Sequence, residues 1–492
     1  MENLITRISD LLRYDPTQPM LFNTGLFMVL FVLFMLVYEG LRGHGRLKMV
    51  AATLFSLFFY YKSGGRCVAI LCGVAVADYF LGRLLGIIRA DAGRRAIVAL
   101  NVVTNVGMLV YFKYFNLLAG AFASIVGKGF DPIDVILPAG ISFFTFRSIS
   151  YIVDVYRGDM QPCRSFFDYF FFLTFFPPLL AGPVVRARDM LPQVAARPQA
   201  TPAMISEGLF LIMTGLVKKV VIADYISGNF VDRIFDNPDL YSGFECLMGA
   251  VGFTVQLYCD FSGYSDMAIG IALLMGYRFK ENFAAPFKSQ SPTEFWRRWH
   301  ISLSTWLRDY IYIPLGGNRR GRKRAYFNQM ATMVIGGLWH GASWMYLIWG
   351  AYHGLLLIVH KSLRKVWKLP EYMKGRPEVR LANMAITFTL VVIGFTFFRA
   401  QSLDTVASMA TQIFGNFHLS VAPQFVEGYL LIVLAIATGF VAHITPRRWT
   451  TGATEAYVAL PLVWQALLLS AVIFLVIQVR QSEIVPFIYL QY

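Results

Sequence analysis

Residues 291–317 read SPTEFWRRWHISLSTWLRDYIYIPLGG, and they lead through the basic run RRGRKR (319–324) to GGLWHGASWMYLIWGAYHG (336–354). Three of the seven histidines of the chain fall within this stretch. His340 lies in its apolar part, directly after Trp339. An ionisable side chain is expensive to bury within an apolar segment, so its position there needs a reason.

The composition is that of an integral membrane protein. Of the 492 residues, 57% are hydrophobic and 15% are charged, whereas soluble domains carry roughly 25% charged residues. Repeated apolar segments favour one membrane domain over several soluble ones. The net charge of +15 could indicate a nucleic-acid partner. We exclude nucleic acid because the Lys and Arg residues fall in short loops between apolar segments, where they set membrane topology.

We predict one all-helical membrane domain over residues 1–492, with about ten or more transmembrane helices and with broken or re-entrant helices around a central cavity or tunnel. Its parts are an interfacial segment (1–19), a motif-bearing region (21–354), C-terminal spans (381–478) and an extracytoplasmic aromatic tail (479–492). Proline and glycine interrupt the apolar residues between 133 and 183. Irregular backbone at membrane depth must be buried in protein or line a water-filled cavity. Ordinary loops at the membrane surface are the alternative there.

Charge also predicts the topology. The basic runs 319–324, 361–380 and 447–448 should share the cytoplasmic side, with the C-terminus opposite. The apolar stretch between the first two runs is then a hairpin with His340 near its turn. His340 lies 16 residues after Arg324, which is about 24 Å of helix at 1.5 Å per residue.

Two carboxylates, Asp260 and Asp266, lie within another apolar segment. Such groups should face the protein interior and pair with cations. We predict pairing with arginines of the next motif: Arg297, Arg298 or Arg308. A structural ion pair is favoured over catalysis, and the alternative is that the segment breaks at Gly263 and exposes both groups to water.

Four further motifs precede the opening stretch, in this order: LPAGISFFTFRSISYIVDVYRG (137–158), FFPPLLAGPVVR (175–186), GLVKKVVIAD (215–224) and QLYCDFSGYSDMAIG (256–270). Together with GLWHG they resemble the membrane-bound O-acyltransferase family. Within it they resemble the branch of the alginate O-acetyltransferase membrane subunit, which is related to the teichoic-acid D-alanyl-transfer membrane protein. The resemblance implies that His340 is the catalytic histidine.

The same resemblance implies the reaction and the setting. An acetyl group would pass from a cytoplasmic thioester, either acetyl-CoA or an acyl-carrier protein, towards an extracytoplasmic, alginate-like polysaccharide. A separate extracytoplasmic acyltransferase would be a partner. The protein would be a multi-pass protein of the bacterial cytoplasmic membrane, with no tightly bound cofactor and no metal.

His340 is the predicted general base, since a nearly neutral imidazole can take a proton from an acceptor hydroxyl. Composition alone would equally allow a core histidine without catalytic function. His300 is predicted to assist, because Trp296, His300 and Ser304 share one helical stripe. That stripe could equally orient a neighbour or hold an aromatic cluster. His353 is interpreted as a packing or hydrogen-bonding residue, since Gly350 and Gly354 allow helices to approach closely.

The tail PFIYLQY (486–492) follows the last predicted span. It resembles the aromatic motif with an acyl-accepting tyrosine on a small companion peptide of the D-alanyl-transfer system. We therefore predict Tyr489 as a candidate acyl acceptor in a relay. The alternative is an aromatic anchor at the membrane interface.

Two other function classes remain open. A transporter or channel would use buried Asp260, Asp266 and His340 to line an ion or solute path. Transfer of an acyl group to a protein is a third possibility, found in other branches of the family. An inverted internal repeat would favour transport, and we find none in the sequence.

Overall fold

The computed structural model describes residues 11–366 and 375–479. Within these ranges the regular elements are all helices, which confirms the predicted class. The chain forms two compact units, Met1–Ile205 with Ile271–Phe279 and Ser206–Gly270 with Lys280–Tyr492. Residues 1–10 of the predicted interfacial segment, and the tail from residue 480 with Tyr489, lie outside the described residues.

The helices before residue 200 belong to the first unit. They are α1 (Gly25–Gly40), α2 (Gly45–Gly64), α3 (Val68–Ile87), α4 (Asp91–Leu109), α5 (Phe115–Ile125), α6 (Ile141–Arg157), α7 (Phe166–Thr174) and α8 (Ala187–Ala196).

The later helices lie wholly or mainly in the second unit. They are α9 (Pro202–Leu216), α10 (Asp232–Asp236), α11 (Gly243–Leu274), α12 (Pro292–Arg298), α13 (Ile301–Leu307), α14 (Arg322–His340), α15 (Trp344–Val366), α16 (Pro377–Arg399), α17 (Leu403–Gly415), α18 (Ala422–Gly428), α19 (Leu430–Ile444), α20 (Arg447–Ala459) and α21 (Leu462–Val479).

Helices long and apolar enough to cross a membrane occur in both units. Four stretches qualify in the described chain: Gly45–Ile87, Asp91–Ile125, Pro377–Arg399 and Leu462–Val479. A fifth is obtained when Leu419–Gly428 and Leu430–Ile444, bent by 96°, are counted as one span. Helix α1 is apolar but has only 16 residues. The count of about ten or more spans stays a prediction.

The region predicted to hold broken helices is irregular and buried in its second half. Helix α7 ends at Thr174, and residues 175–186 continue without a regular helix. Phe175, Phe176 and Leu179 are fully buried. A surface loop, the alternative for this part, is therefore excluded, whereas most of residues 127–137 are exposed and form an ordinary loop.

One arginine provides hydrogen-bond donors for the end of α7 and the turn that follows. The Arg147 guanidinium, on α6, is fully buried. It donates to the carbonyl oxygens of Phe172 and Leu173, each at 3.4 Å, and also to that of Pro178. Carbonyl groups at a helix end need partners when they are buried away from water. Arg147 supplies them from a neighbouring helix.

A buried carboxylate that the sequence analysis did not single out ties four helices of the first unit together. Oδ1 of Asp78, on α3, accepts hydrogen bonds from Asn101 Nδ2 at 2.8 Å and from Ser148 Oγ at 2.9 Å. Its Oδ2 accepts from the Tyr169 hydroxyl at 2.9 Å. A buried polar network of this kind is stable when its members are hydrogen-bonded.

Candidate functional site

Helices α14 and α15 form a tight antiparallel hairpin within the second unit. A Cβ on Gly337 would overlap the carbonyl oxygen of Tyr346, and one on Gly350 would lie 2.5 Å from the carbonyl oxygen of Met333. Only glycine allows the two backbones to come this close. The structure thus confirms the hairpin predicted from the basic runs, because α14 ends at His340 and α15 begins at Trp344.

His340 lies inside a cage of aromatic rings at the end of α14. Its imidazole is 4.9 Å from the ring of Trp349, 5.0 Å from Trp339 and 5.2 Å from Phe398, measured between centroids. All three contacts are edge-to-face. Only 3% of the residue is exposed. The hairpin and α16 therefore hold the imidazole in one orientation.

His300 does not lie on a continuous helix, and the predicted stripe of Trp296, His300 and Ser304 is wrong. Helix α12 ends at Arg298 and α13 begins at Ile301, with His300 between them at φ 42° and ψ 56°. The left-handed region is unfavourable for a residue with a side chain. Such strain persists where the surroundings hold the residue, often at functional sites.

The hydrogen bonds of Asn282 determine the tautomer of His300. The Asn282 side-chain oxygen accepts from the backbone N–H of Ser302 at 3.1 Å and from its hydroxyl at 2.8 Å. The same oxygen lies 3.2 Å from His300 Nδ1, so that nitrogen must carry the hydrogen and donate. The other ring nitrogen, Nε2, then bears the lone pair.

The lone pair of His300 is held in a dry environment. Within the described part of the chain, Nε2 is buried and makes no hydrogen bond. The ring lies edge-to-face on Phe261, with 4.5 Å between centroids. Complete burial lowers the pKa of His300 well below its usual value. The imidazole is consequently neutral at physiological pH, and its Nε2 can accept a hydrogen bond.

Trp339 contacts both candidate histidines. Its ring centroid is 5.9 Å from that of His300 and 5.0 Å from that of His340. The sequence places the two histidines 40 positions apart, and the fold brings them to one indole. The predicted pair of a catalytic and an assisting histidine is therefore geometrically consistent, while their roles stay predictions.

His353 packs as the sequence predicts. It is 1% exposed, and its ring lies against Trp296 and Trp349 at 5.3 and 4.9 Å between centroids. A Cβ on Gly394, in α16, would lie 2.6 Å from its Nε2. That nitrogen has no hydrogen-bond partner among the described residues. His353 fills space between α15 and α16.

The two carboxylates of α11 pair with lysines, so the predicted arginine partners are wrong. Nζ of Lys219 lies 2.5 Å from Asp260 and 2.7 Å from Asp224, and Nζ of Lys218 lies 2.6 Å from Asp266. Both lysines follow α9 in a π-helical segment, Val217–Asp224. Its wider turn is a feature often found at functional sites. Asp260 and Asp266 are thus ion-paired, and the structural role that the sequence favours over catalysis stays a prediction.

Sequence reasoning missed Asn282, Lys218 and Lys219. A usable signal existed for the lysines, because two adjacent cations within the apolar motif of residues 215–224 need anionic partners. No comparable signal existed for Asn282, which stands in the connection between α11 and α12. Tyr489 lies outside the described residues, so its position relative to His340 stays a prediction.

Comparison with known proteins gives the same family along most of the chain. Residues 163–398 match the sequence model of the membrane-bound O-acyltransferase family. A Pseudomonas putida protein named "Probable alginate O-acetylase AlgI" is 41% identical over 87% of this chain and 86% of its own length. The Helicobacter pylori "Peptidoglycan O-acetyltransferase" is 36% identical over 78% of each chain. The Bacillus subtilis "Teichoic acid D-alanyltransferase" is 30% identical over 55% of this chain and 70% of its own.

Proposed function

This protein belongs to the membrane-bound O-acyltransferase family, and we propose that it moves an acetyl group from a cytoplasmic thioester towards an extracytoplasmic polysaccharide. It is an integral membrane O-acyltransferase. The acceptor class is inferred from relatives named for acetylation of alginate and of peptidoglycan. Those names favour a polysaccharide acceptor over a protein acceptor.

The observation that carries the proposal is the aromatic cage around His340 at the turn of the α14–α15 hairpin. In the proposed reaction, the imidazole removes the proton of an acceptor hydroxyl while the hydroxyl oxygen attacks the thioester carbonyl carbon. The carbon–sulfur bond breaks, an ester forms, and the thiolate takes a proton from the imidazolium. The reaction consumes no oxidant and needs no metal.

His300 would assist without changing its charge. A neutral imidazole with a fixed tautomer can accept a hydrogen bond from a group that has taken up a proton. The side-chain oxygen of Asn282 accepts from Nδ1–H of His300, so that Nε2 of His300 is the nitrogen available to a reacting group. Orientation of this kind contributes to catalysis because less reorganisation is needed during the reaction.

The finer topology belongs to the same proposal. One membrane domain would have about ten or more spans around a tunnel, with the basic runs 319–324 and 447–448 on the cytoplasmic side of a bacterial inner membrane and the C-terminus outside. The donor would be acetyl-CoA or an acyl-carrier protein, entering from the cytoplasm. A separate extracytoplasmic acyltransferase would complete the transfer. Tyr489, on the outer side, would serve as an acyl relay, since a phenolate is a better leaving group than a sugar alkoxide.

The deciding experiment is acetyl analysis of surface polysaccharide from cells with and without this protein. Loss of O-linked acetyl, restored by the intact gene, is the expected result. Unchanged acetyl content with altered uptake or export of a solute would instead identify a transporter. Acetylation of a secreted protein but not of polysaccharide would move the acceptor to the protein class.

A further inference from the structure

A basic cavity lies in the first unit, where the turn between α1 and α2 meets the segment after α8. Its volume is about 240 Å³. The lining residues that carry charge are Arg42, Lys48 and Arg197, and none of the described residues that line it is acidic. Sites that enclose whole small molecules are usually about 300–1,000 Å³. This cavity is therefore suited to one charged group of a larger ligand.

The floor of the cavity is formed by buried side chains that contact one another. Lys48 is 5% exposed, with its Nζ 4.0 Å from the ring centroid of Tyr38 and 3.0 Å from Glu39. The Tyr38 hydroxyl donates to the carbonyl oxygen of Met275 at 2.9 Å, which ties the end of α1 to the segment 271–279. Because Glu39 balances Lys48, the net positive charge of the cavity comes from its two arginines.

Both arginines are exposed at the rim of the cavity, and one of them is tied to a neighbouring segment. Arg42 and Gln199 exchange two hydrogen bonds, each 3.2 Å long, which join the α1–α2 turn to the segment after α8. Arg42 uses only its Nε in this contact, so the N–H groups of its two terminal nitrogens are not used in it. The Arg197 side chain makes no hydrogen bond to any described residue.

The backbone of Arg197 is strained in order to hold this arrangement. Its φ of 48° and ψ of 62° are left-handed, and it terminates α8 where glycine or asparagine is usual. The side chain then crosses Gly45, where an added Cβ would lie only 3.0 Å from its Cδ. An arginine kept in this conformation, over a glycine that makes room for it, indicates a requirement for its guanidinium.

From this geometry we infer that the cavity binds a phosphate ester. Guanidinium groups bind phosphate oxygens through paired N–H donors, and the cavity offers two of them. Basic pockets between helices on the cytoplasmic side of a membrane bind lipid head groups in this way. The nucleotide end of a coenzyme thioester carries the same chemistry. Binding of a lipid head group would not rest on the proposed acyl transfer, whereas binding of coenzyme A would, because a coenzyme thioester is the proposed donor.

The test measures binding to the purified full-length protein in two arms. Native mass spectrometry counts phosphatidylglycerol retained from mixed micelles that also contain phosphatidylcholine, and calorimetry measures binding of free coenzyme A. The variants are Arg197→Asn, which tolerates a left-handed backbone, and the double variant Arg42→Gln with Arg197→Asn. Arg46→Gln is the matched control, because it removes the same charge from the first turn of α2 outside the cavity lining.

We expect the double variant to weaken binding at least tenfold in one arm, and Arg46→Gln to change it less than twofold. The arm affected identifies the source of the phosphate. Equal losses in Arg197→Asn and Arg46→Gln, which each remove one positive charge, would overturn the inference, since binding would then follow overall charge. Absence of binding in both arms by the unaltered protein would also overturn it. If the double variant does not fold, competition by inorganic phosphate on the unaltered protein decides, and no displacement refutes the site.

Discussion

Nδ1 of His300 lies 3.2 Å from the side-chain oxygen of Asn282, and this contact fixes which nitrogen of the imidazole is protonated. We expect Asn282→Leu to reduce polysaccharide acetylation roughly tenfold to a hundredfold, because losing a buried hydrogen bond costs about 1–3 kcal/mol. Ser302→Ala is the control, since it removes another donor to the same oxygen and leaves His300 in place. Acetyl content per unit of membrane protein is the measurement. Equal effects of the two substitutions would contradict the assigned role of Asn282.

Replacement of His340 and of His353 should distinguish a catalytic histidine from one that only packs. His340→Ala is expected to reduce acetyl transfer by about 10² to 10⁴, the usual loss when a positioned base is removed, with normal amounts of protein in the membrane. His353→Ala, which empties space against Gly394, should instead lower protein amount and activity in parallel. Quantitative blotting beside the acetyl assay distinguishes them. Near-normal turnover by the His340 variant would refute the assignment.

Lys219 should be essential for the stability of the protein. Lys219→Met leaves two carboxylates without their common cation and should destabilise the protein by about 3–5 kcal/mol. Lys218→Met should have a smaller effect, because the Lys218 side chain is 25% exposed whereas that of Lys219 is 3% exposed. Thermal unfolding in detergent measures both. Adding Asp260→Asn to the Lys219 variant should recover part of the loss, and no recovery would argue against direct pairing.

The hairpin should not tolerate a methyl group at its crossing point. We expect Gly350→Ala to abolish folded protein, because the new Cβ would lie 2.5 Å from a carbonyl oxygen of α14. Gly107→Ala, inside α4 with nothing within 4 Å of the added carbon, should be neutral or stabilising by up to about 1 kcal/mol. Size-exclusion profiles of the two purified variants give the comparison. A normal profile for the Gly350 variant would mean that the helices are further apart than described.

The terminal relay has its own discriminating substitution. Tyr489→Phe keeps the ring of an interfacial anchor and removes the hydroxyl that would carry the acyl group. The relay requires loss of polysaccharide acetylation at normal membrane levels. Tyr492→Phe serves as the control and should leave acetylation unchanged. Unaffected acetylation in the Tyr489 variant would eliminate the relay and leave the anchor.

The sequence predicted the placement of His340 because two basic runs bracket an apolar stretch of known length. Charge and helix rise together require a turn near that residue, and the structure has it there. Neither quantity depends on contacts between distant segments. The irregular, buried residues 175–186 were predictable for a related reason, since prolines interrupt an apolar run and exclude a continuous helix.

The predictions were wrong where contacts between distant residues, or the local backbone conformation, determine the structure. Periodicity assumed that the helix continues through His300, and no pattern of residue types reveals a left-handed residue with a side chain. The partners of Asp260 and Asp266 were sought after α11, whereas the lysines lie about 40 to 50 residues before them and meet them only through packing. Asn282 was missed because asparagine is common in connections between helices, and its hydrogen-bond partners are known only from the structure.

Arg147 has a consequence for the order of assembly. The carbonyl groups that it serves, those of Phe172, Leu173 and Pro178, lie in the last turn of α7 or just beyond it, and all three residues are buried. In lipid, or in a partly folded interior, those carbonyl groups would lack hydrogen-bond donors. Each unsatisfied group would cost several kcal/mol of free energy. We therefore expect the end of α7 and the turn at Pro178 to become stable only when α6 is packed beside them. This part of the chain should therefore acquire its conformation later than α6.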